Sequence, residues 1–128
     1  MFLPPRDRPK EPLPRVIDFT QMEKTAPSSG SFASFAAFYP FYLSQHSDRT
    51  CRRLHFVGTT LGLAALLHAF STLNFWWLLA GLAVGYAFAW VGHFFFEKNR
   101  PATFTHPLYS FMGDWVMWKE ILTGKIRF

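Results

Sequence analysis

A run of 43 residues without a charged side chain, from Leu54 to Phe96, limits what this 128-residue chain can fold into more than any other feature. The 13 basic and 8 acidic residues all lie outside it. Soluble domains are about a quarter charged, and their helices carry those charges on the faces that meet water. We therefore expect an all-α integral membrane protein, and the length excludes a multidomain enzyme.

The uncharged run divides at a polar segment, residues 71–74, which predicts two transmembrane helices at about 54–73 and 75–96. Each would span about 30 Å at 1.5 Å per residue. Basic residues border the run at both ends and the loop has none, so both termini are expected to be cytoplasmic. The membrane would be a bacterial inner membrane, or the endoplasmic reticulum in a eukaryote. Small residues repeat along both helices and predict close helix contact: Gly58, Gly62 and Ala65, and Gly81, Gly85 and Ala89.

The flanks of this hairpin predict shorter elements. Residues 1–30 are expected to be a disordered, Pro-rich basic tail, and residues 31–124 a membrane-embedded domain. An aromatic helix capped by Ser31 should lie at the membrane interface, with a kink or an interruption at Pro40. A final amphipathic helix is predicted over residues 107–122. The predicted fold is thus a transmembrane helical hairpin flanked by interfacial or amphipathic helices.

Charge and cysteine content exclude several classes of function. The net charge of +5 is concentrated beside the hydrophobic run, which favours membrane lipid as a partner over nucleic acid. Cys51 is the single cysteine, so neither an internal disulfide nor a paired-thiol zinc motif can form. We expect Cys51 to be only a small residue at a helix start. The sequence also lacks a Gly-x-Ser-x-Gly elbow, a phosphate-binding loop and a dinucleotide fingerprint.

The histidines follow from the geometry of the hairpin. With Asn74 at its tip, His55 and His93 each lie 19 residues away, so both are about 28 Å from the tip at the same depth. His46 and His106 should lie on this same cytoplasmic side, whereas His68 lies near the opposite surface. Four of the five histidines are therefore expected to converge on one patch.

Ionisable groups at membrane depth usually face a protein interior or a site. His93 and Glu97 share a helical face at a spacing of four residues, and two histidines with that carboxylate would form the ligand set of a non-haem Fe(II) oxygenase. Arg53 and Arg100, with neighbouring basic residues, are candidates to hold a carboxylate or phosphate head group, or to set topology alone. Other classes stay open: a haem-binding electron-transfer protein, and a non-catalytic membrane adaptor.

Three segments, residues 38–46 (FYPFYLSQH), 53–59 (RLHFVGT) and 92–104 (GHFFFEKNRPATF), together resemble a small membrane family long catalogued as a domain of unknown function. Some of its members are described as 2-hydroxy fatty acid dioxygenases. The resemblance covers about residues 31–124. It implies Fe(II)-dependent α-oxidation, in which a long-chain 2-hydroxy fatty acid and O2 give a fatty acid one carbon shorter. His46, His55 and His93 match the histidine positions of the family, and Glu97, Arg100 and Pro101 match its segment after the second span. We expect catalytic roles for His46, His55, His93 and Glu97, and substrate binding by Tyr42, Arg53 and Arg100. The same four catalytic residues are the expected Fe(II) ligands, together with His106, which lies where members vary.

Overall fold

A computed structural model describes residues 16–25 and 30–128, and this part of the chain is entirely helical, without strands. The α-helices are α1 (Phe19–Thr25), α2 (Phe35–Ser44), α3 (Arg49–Thr72), α4 (Trp76–Val91) and α5 (Pro107–Leu122). Helix α4 continues as a π-helical segment, Gly92–Glu97, and a short 3-10 turn, Ala102–Phe104, precedes α5. The predicted all-α class is confirmed.

Helices α3 and α4 form the predicted hairpin. At its tip Leu73 adopts a left-handed conformation (φ 54°), and the side-chain oxygen of Asn74 accepts a hydrogen bond from the Trp76 amide. Helix α3, and α4 together with its π-helical segment, are both long and apolar enough to cross a membrane. Only 17% and 22% of their apolar windows are buried inside the protein. A core helix of a soluble protein would be mostly buried, whereas these two helices leave most of their apolar surface uncovered by the described part of the chain.

The predicted small-residue stripes bring the two helices into close contact. A Cβ atom added at Gly58 would lie 2.9 Å from Cβ of Phe88 and 3.1 Å from the Gly85 carbonyl oxygen. One added at Gly81 would lie 2.9 Å from Cβ of Ala65. Only glycine lets the two backbones approach to this distance.

The aromatic helix α2 is buried rather than lying free at an interface. Phe38 and Tyr42 are almost fully inaccessible and pack in one core with Met117 and Ile121 of α5. The N-cap is Ser34 and not Ser31, because the Ser34 hydroxyl accepts a hydrogen bond from Ala37 N at 3.2 Å. The expected interruption at Pro40 does not occur. The aromatic side chains on both sides of Pro40 are held by α5, and this packing outweighs the missing backbone donor.

Residues on both sides of the predicted 31–124 domain also pack against the core. Within the predicted tail, Phe19–Thr25 forms α1, because Phe19 and Met22 present one apolar face to the core. The rest of that tail, residues 1–15 and 26–29, lies outside the described residues. At the other end the core extends past residue 124, since Ile126 is completely buried.

The two pairs of glycines should respond differently to alanine. Gly58→Ala and Gly81→Ala overpack the helix contact, which typically costs about 1–3 kcal/mol, whereas added Cβ atoms at Gly62 and Gly85 would meet only a backbone oxygen at 3.7 Å. We expect the first pair to lower the melting temperature in detergent, measured by circular dichroism. The second pair are matched controls and should melt close to the wild type. Equal melting of all four variants would contradict the close helix contact.

Candidate metal centre

Four side chains from three parts of the chain meet at the end of the hairpin opposite Asn74. His46 follows α2, Cys51 and His55 lie in the first turns of α3, and His93 lies in the π-helical segment. Their potential ligand atoms all lie within 4.8 Å of one another, and all four residues are buried. The structure therefore brings His46, His55 and His93 together, as the sequence predicts.

The three imidazole rings pack edge to face. Ring centroids are 4.5 Å apart for His46 and His55, 4.6 Å for His46 and His93, and 4.9 Å for His55 and His93. The interplanar angles lie between 72° and 90°. The ligand atoms that these rings carry are close enough together to share one metal ion.

Each ring is oriented through its Nδ1 atom by an oxygen acceptor. His46 Nδ1 donates to the Tyr42 carbonyl oxygen at 2.6 Å, and His55 Nδ1 donates to Asp114 Oδ1 at 3.0 Å. His93 Nδ1 donates to Asn99 Oδ1 at 2.7 Å. Because these partners only accept at those atoms, Nδ1 carries a proton in all three rings, and in the neutral form of each ring the lone pair is on Nε2.

The Nε2 atoms of His46 and His55 are buried and have no hydrogen-bond partner among the residues that the structure describes. An unpaired buried polar atom is costly, and a metal ion would satisfy both at once. Burial, reinforced by the neighbouring His55 and His93 rings, lowers the pKa of His46 well below its ordinary value. The ring is thus neutral, which is the form that binds metal. The residues present fit a metal ion.

Asp114 of α5 connects the metal centre to the aromatic core. Its Oδ1 accepts hydrogen bonds from the Tyr42 hydroxyl and from His55. Burial and the nearby Asp114 carboxylate raise the pKa of Tyr42, so its hydroxyl keeps its proton and acts as a donor. Tyr42, predicted to bind substrate, is only 1% exposed and instead orients the carboxylate that orients His55.

Glu97, predicted as a metal ligand, is not part of this group. Its Oε1 accepts from the amide and the hydroxyl of Ser47 at 2.9 and 2.6 Å, and its Oε2 accepts from the Asp48 amide at 2.6 Å. A carboxylate is favoured at this position because Ser47 and Asp48 precede the start of α3, where the helix dipole is positive. Glu97 therefore joins the end of the π-helical segment to the start of α3.

The structure places the other predicted residues away from the four-residue group. The ring of His106 packs between Phe32 and Phe38, and its Nε2 lies 2.7 Å from the Gly30 carbonyl oxygen. Arg53 lies over the Phe128 ring and Arg100 over the Phe104 ring.

His68 is exposed near the tip, with its ring against Trp77. This position agrees with the depth predicted for it from the sequence.

Three residues in or beside the metal centre are not predicted from the sequence. Cys51 is predicted to be only a small residue, and the sequence assigns no site role to Asn99 or Asp114, which bond to His93 and His55. Cys51 lies one helical turn before His55, and this spacing was the available signal for it. Asn99 follows the left-handed residue Lys98 (φ 57°), and its amide nitrogen donates to the Gln45 carbonyl oxygen at 3.0 Å.

The family model described as 2-hydroxy-palmitic acid dioxygenase Mpo1-like matches residues 32–126, which is most of the chain. The chain belongs to this family. The resemblance found in the sequence is thereby confirmed, and the Mpo1-like segment contains every residue of the metal centre. Neither a curated protein nor a solved structure matches the chain.

Single replacements should distinguish the residues that bind the metal from those that only lie beside it. His46→Ala, His55→Ala and His93→Ala should each reduce bound metal from near stoichiometric to background, because each removes an Nε2 donor. Cys51→Ser should retain the metal, since within the described residues no comparable hydrogen bond orients its sulfur toward the site. The measurement is metal content of detergent-purified protein, with circular dichroism to show that each variant is folded. Loss of metal in Cys51→Ser alone would contradict this assignment.

Two further variants serve as controls. Asn99→Ala removes the acceptor behind His93, together with the hydrogen bond from Asn99 to the Gln45 carbonyl oxygen, and losses of this kind typically weaken metal affinity about 10–100-fold. Glu97→Ala removes bonds between helices instead. It should lower the melting temperature, at a cost of about 1.5–3 kcal/mol for lost charge-assisted bonds, while the folded protein keeps its metal.

Proposed function

We propose that this protein is a membrane-bound Fe(II) dioxygenase that converts a long-chain 2-hydroxy fatty acid and O2 into a fatty acid one carbon shorter. The observation that carries the proposal is the convergence of three buried imidazoles, each with Nδ1 hydrogen-bonded to an oxygen, while Nε2 of His46 and of His55 has no partner among the described residues. Membership of the Mpo1-like family supports the substrate class. His46, His55 and His93 are the proposed ligands, with Cys51 beside them.

Fe(II) held by three imidazoles would supply redox chemistry with O2 and leave positions for the carboxylate and hydroxyl oxygens of a 2-hydroxy acid. The overall reaction balances without an external reductant. Cleavage of the C1–C2 bond gives the shortened acid, CO2 and water, and the substrate provides the four electrons that reduce O2.

The residues of the chain have three tasks in this proposal. The acceptors at Tyr42, Asn99 and Asp114 keep the imidazoles in the ligand tautomer and orientation. Arg52 stabilises the segment that carries His46, because its Nη1 donates to the carbonyl oxygens of His46 and Ser47 at 2.9 and 2.6 Å. The buried position of the rings limits access of water to the reacting groups.

The alternatives from the sequence receive less support. A haem held axially by His55 and His93 would need a slot between the two rings wide enough for a porphyrin. Their centroids are 4.9 Å apart, and the His46 ring lies within 4.6 Å of both. A non-catalytic adaptor has no need for buried, unpaired imidazole nitrogens, which cost stability unless they bind something.

We also propose that α3 and α4 cross the membrane and place both termini in the cytoplasm. Arg49, Arg52 and Arg53 begin α3, and Lys98 and Arg100 follow the π-helical segment, so all lie at one end of the hairpin. The metal centre then lies close to the cytoplasmic surface.

Reporter tags at the two termini should therefore report the cytoplasmic side. A tag inserted after Asn74 is the control within the same chain and should report the opposite side. Accessibility to a membrane-impermeant reagent in intact cells measures all three. Termini on opposite sides of the membrane would contradict the hairpin insertion.

The substrate assignment makes a prediction about the hydroxyl group. A 2-hydroxy fatty acid and an unsubstituted acid of equal length carry alkyl chains of nearly the same size, and each buried CH2 contributes about 0.8 kcal/mol to bilayer binding in both. Only the first can chelate through one carboxylate oxygen and one hydroxyl oxygen. We expect one-carbon-shorter product from the 2-hydroxy acid alone, measured by mass spectrometry with iron-loaded protein. Equal conversion of both acids would exclude the chelation mechanism.

A further inference from the structure

An elongated crevice of about 290 Å³ lies between α3 and α4 and is flanked by α5. His55 and Asp114 form its polar end, and Leu66 and Leu78 line it farthest from them toward the hairpin tip. His55 is 4% exposed, and its Nε2 has no partner among the described residues. The crevice therefore begins at the metal centre and continues into the apolar part of the hairpin.

The length of the crevice corresponds to an alkyl chain. His55 and Leu66 are 11 residues apart on α3, or about 16 Å at 1.5 Å per residue. An extended alkyl chain advances roughly 1.3 Å per carbon, because bonds of about 1.52 Å are inclined to its axis, so about a dozen carbons fit. Apart from His55, Asp114, Thr59 and Tyr86 the lining side chains are apolar.

Two glycines leave the interior of the crevice open. A Cβ atom added at Gly62 would meet only the Gly81 carbonyl oxygen within 4 Å, at 3.7 Å. One added at Gly85 would meet only the Gly58 carbonyl oxygen, also at 3.7 Å. Both residues line the crevice, so the space that their side chains would fill is available to a ligand.

We infer that this crevice is the acyl-chain subsite, and that Leu66 and Leu78 set the preferred chain length. The inference rests on the proposed dioxygenase function. Its occupant is the unbranched alkyl chain of a 2-hydroxy fatty acid, because the polar end of the crevice carries an unpaired imidazole nitrogen beside the other histidines. A chain whose carboxylate and hydroxyl groups meet His55 would extend along the glycines toward Leu66.

The first test shortens the crevice. Gly62 lies two turns from His55, about 10 Å, so Gly62→Leu should obstruct chains longer than about eight carbons. We expect kcat/KM to fall about tenfold or more for a 16-carbon 2-hydroxy acid and to change less than about twofold for an 8-carbon acid. Ala64→Leu is the matched control, since Ala64 is exposed on the same helix, and it should leave both values unchanged.

A second variant lengthens the crevice and keeps the test valid if Gly62→Leu fails to fold. Leu66→Ala should shift the preferred substrate to longer acids. Unchanged chain-length profiles in both folded variants would overturn the inference.

A readout independent of turnover is photo-crosslinking. A 2-hydroxy fatty acid with a diazirine at its far end should label peptides containing Leu66 or Leu78, mapped by mass spectrometry, and a fatty acid without the diazirine should compete. Labelling spread over the outer surface around Ala64 would overturn the subsite. Labelling in the crevice without turnover of any acid would support the subsite and count against the proposed reaction.

Discussion

The structure depends on burying three imidazole rings side by side. Each ring can lie in a nonpolar environment only if its N–H has an acceptor and its other nitrogen has a partner. The acceptors come from the end of α2, from α5 and from the segment after α4, through Tyr42, Asp114 and Asn99. The requirement to satisfy three Nδ1 atoms therefore explains why every element at this end of the hairpin meets at one point.

The close approach of α3 and α4 also brings the residues of the metal centre together. A Cβ atom at Gly92 would lie 3.0 Å from Cys51 Sγ, so a glycine is required where the two helices flank the site. Farther along, Gly58 and Gly81 hold the backbones together, whereas Gly62 and Gly85 leave space beside that contact. One set of small residues thus brings His55 and His93 within reach of each other and leaves the adjoining crevice open.

Much of the fold could be predicted because it depends on the positions of residues along the sequence. The charge-free run marks the hairpin, and counting residues from Asn74 gives the matched depths of His55 and His93.

Counting residues does not give the rotation of a side chain about the helix axis, or the partner with which that side chain bonds. Arg53 precedes His55 by two residues, about 200° around the helix, and so points away from the site. Glu97 lies close to the depth of the histidines. Its carboxylate nevertheless accepts hydrogen bonds from the free backbone amides before α3 and does not join the metal centre. Asn99 and Asp114 depend on contacts with α2 and α3 that no local pattern specifies.

For the proposed lipid substrate, selectivity in a crevice that opens to lipid has a different physical basis from selectivity in a pocket that opens to water. Within hydrocarbon, moving an alkyl chain from lipid into an apolar crevice brings no hydrophobic gain, because lipid tails are as apolar as leucine. Transfer of the same chain through water would cost about 0.8 kcal/mol per CH2, so access from the bilayer avoids a large barrier. Recognition must then come from two sources: the shape and length of the crevice between His55 and Leu66, and the polar groups at its end. In the proposed membrane insertion, a 128-residue chain could meet both requirements, because the bilayer would take the place of the remaining walls of a soluble pocket.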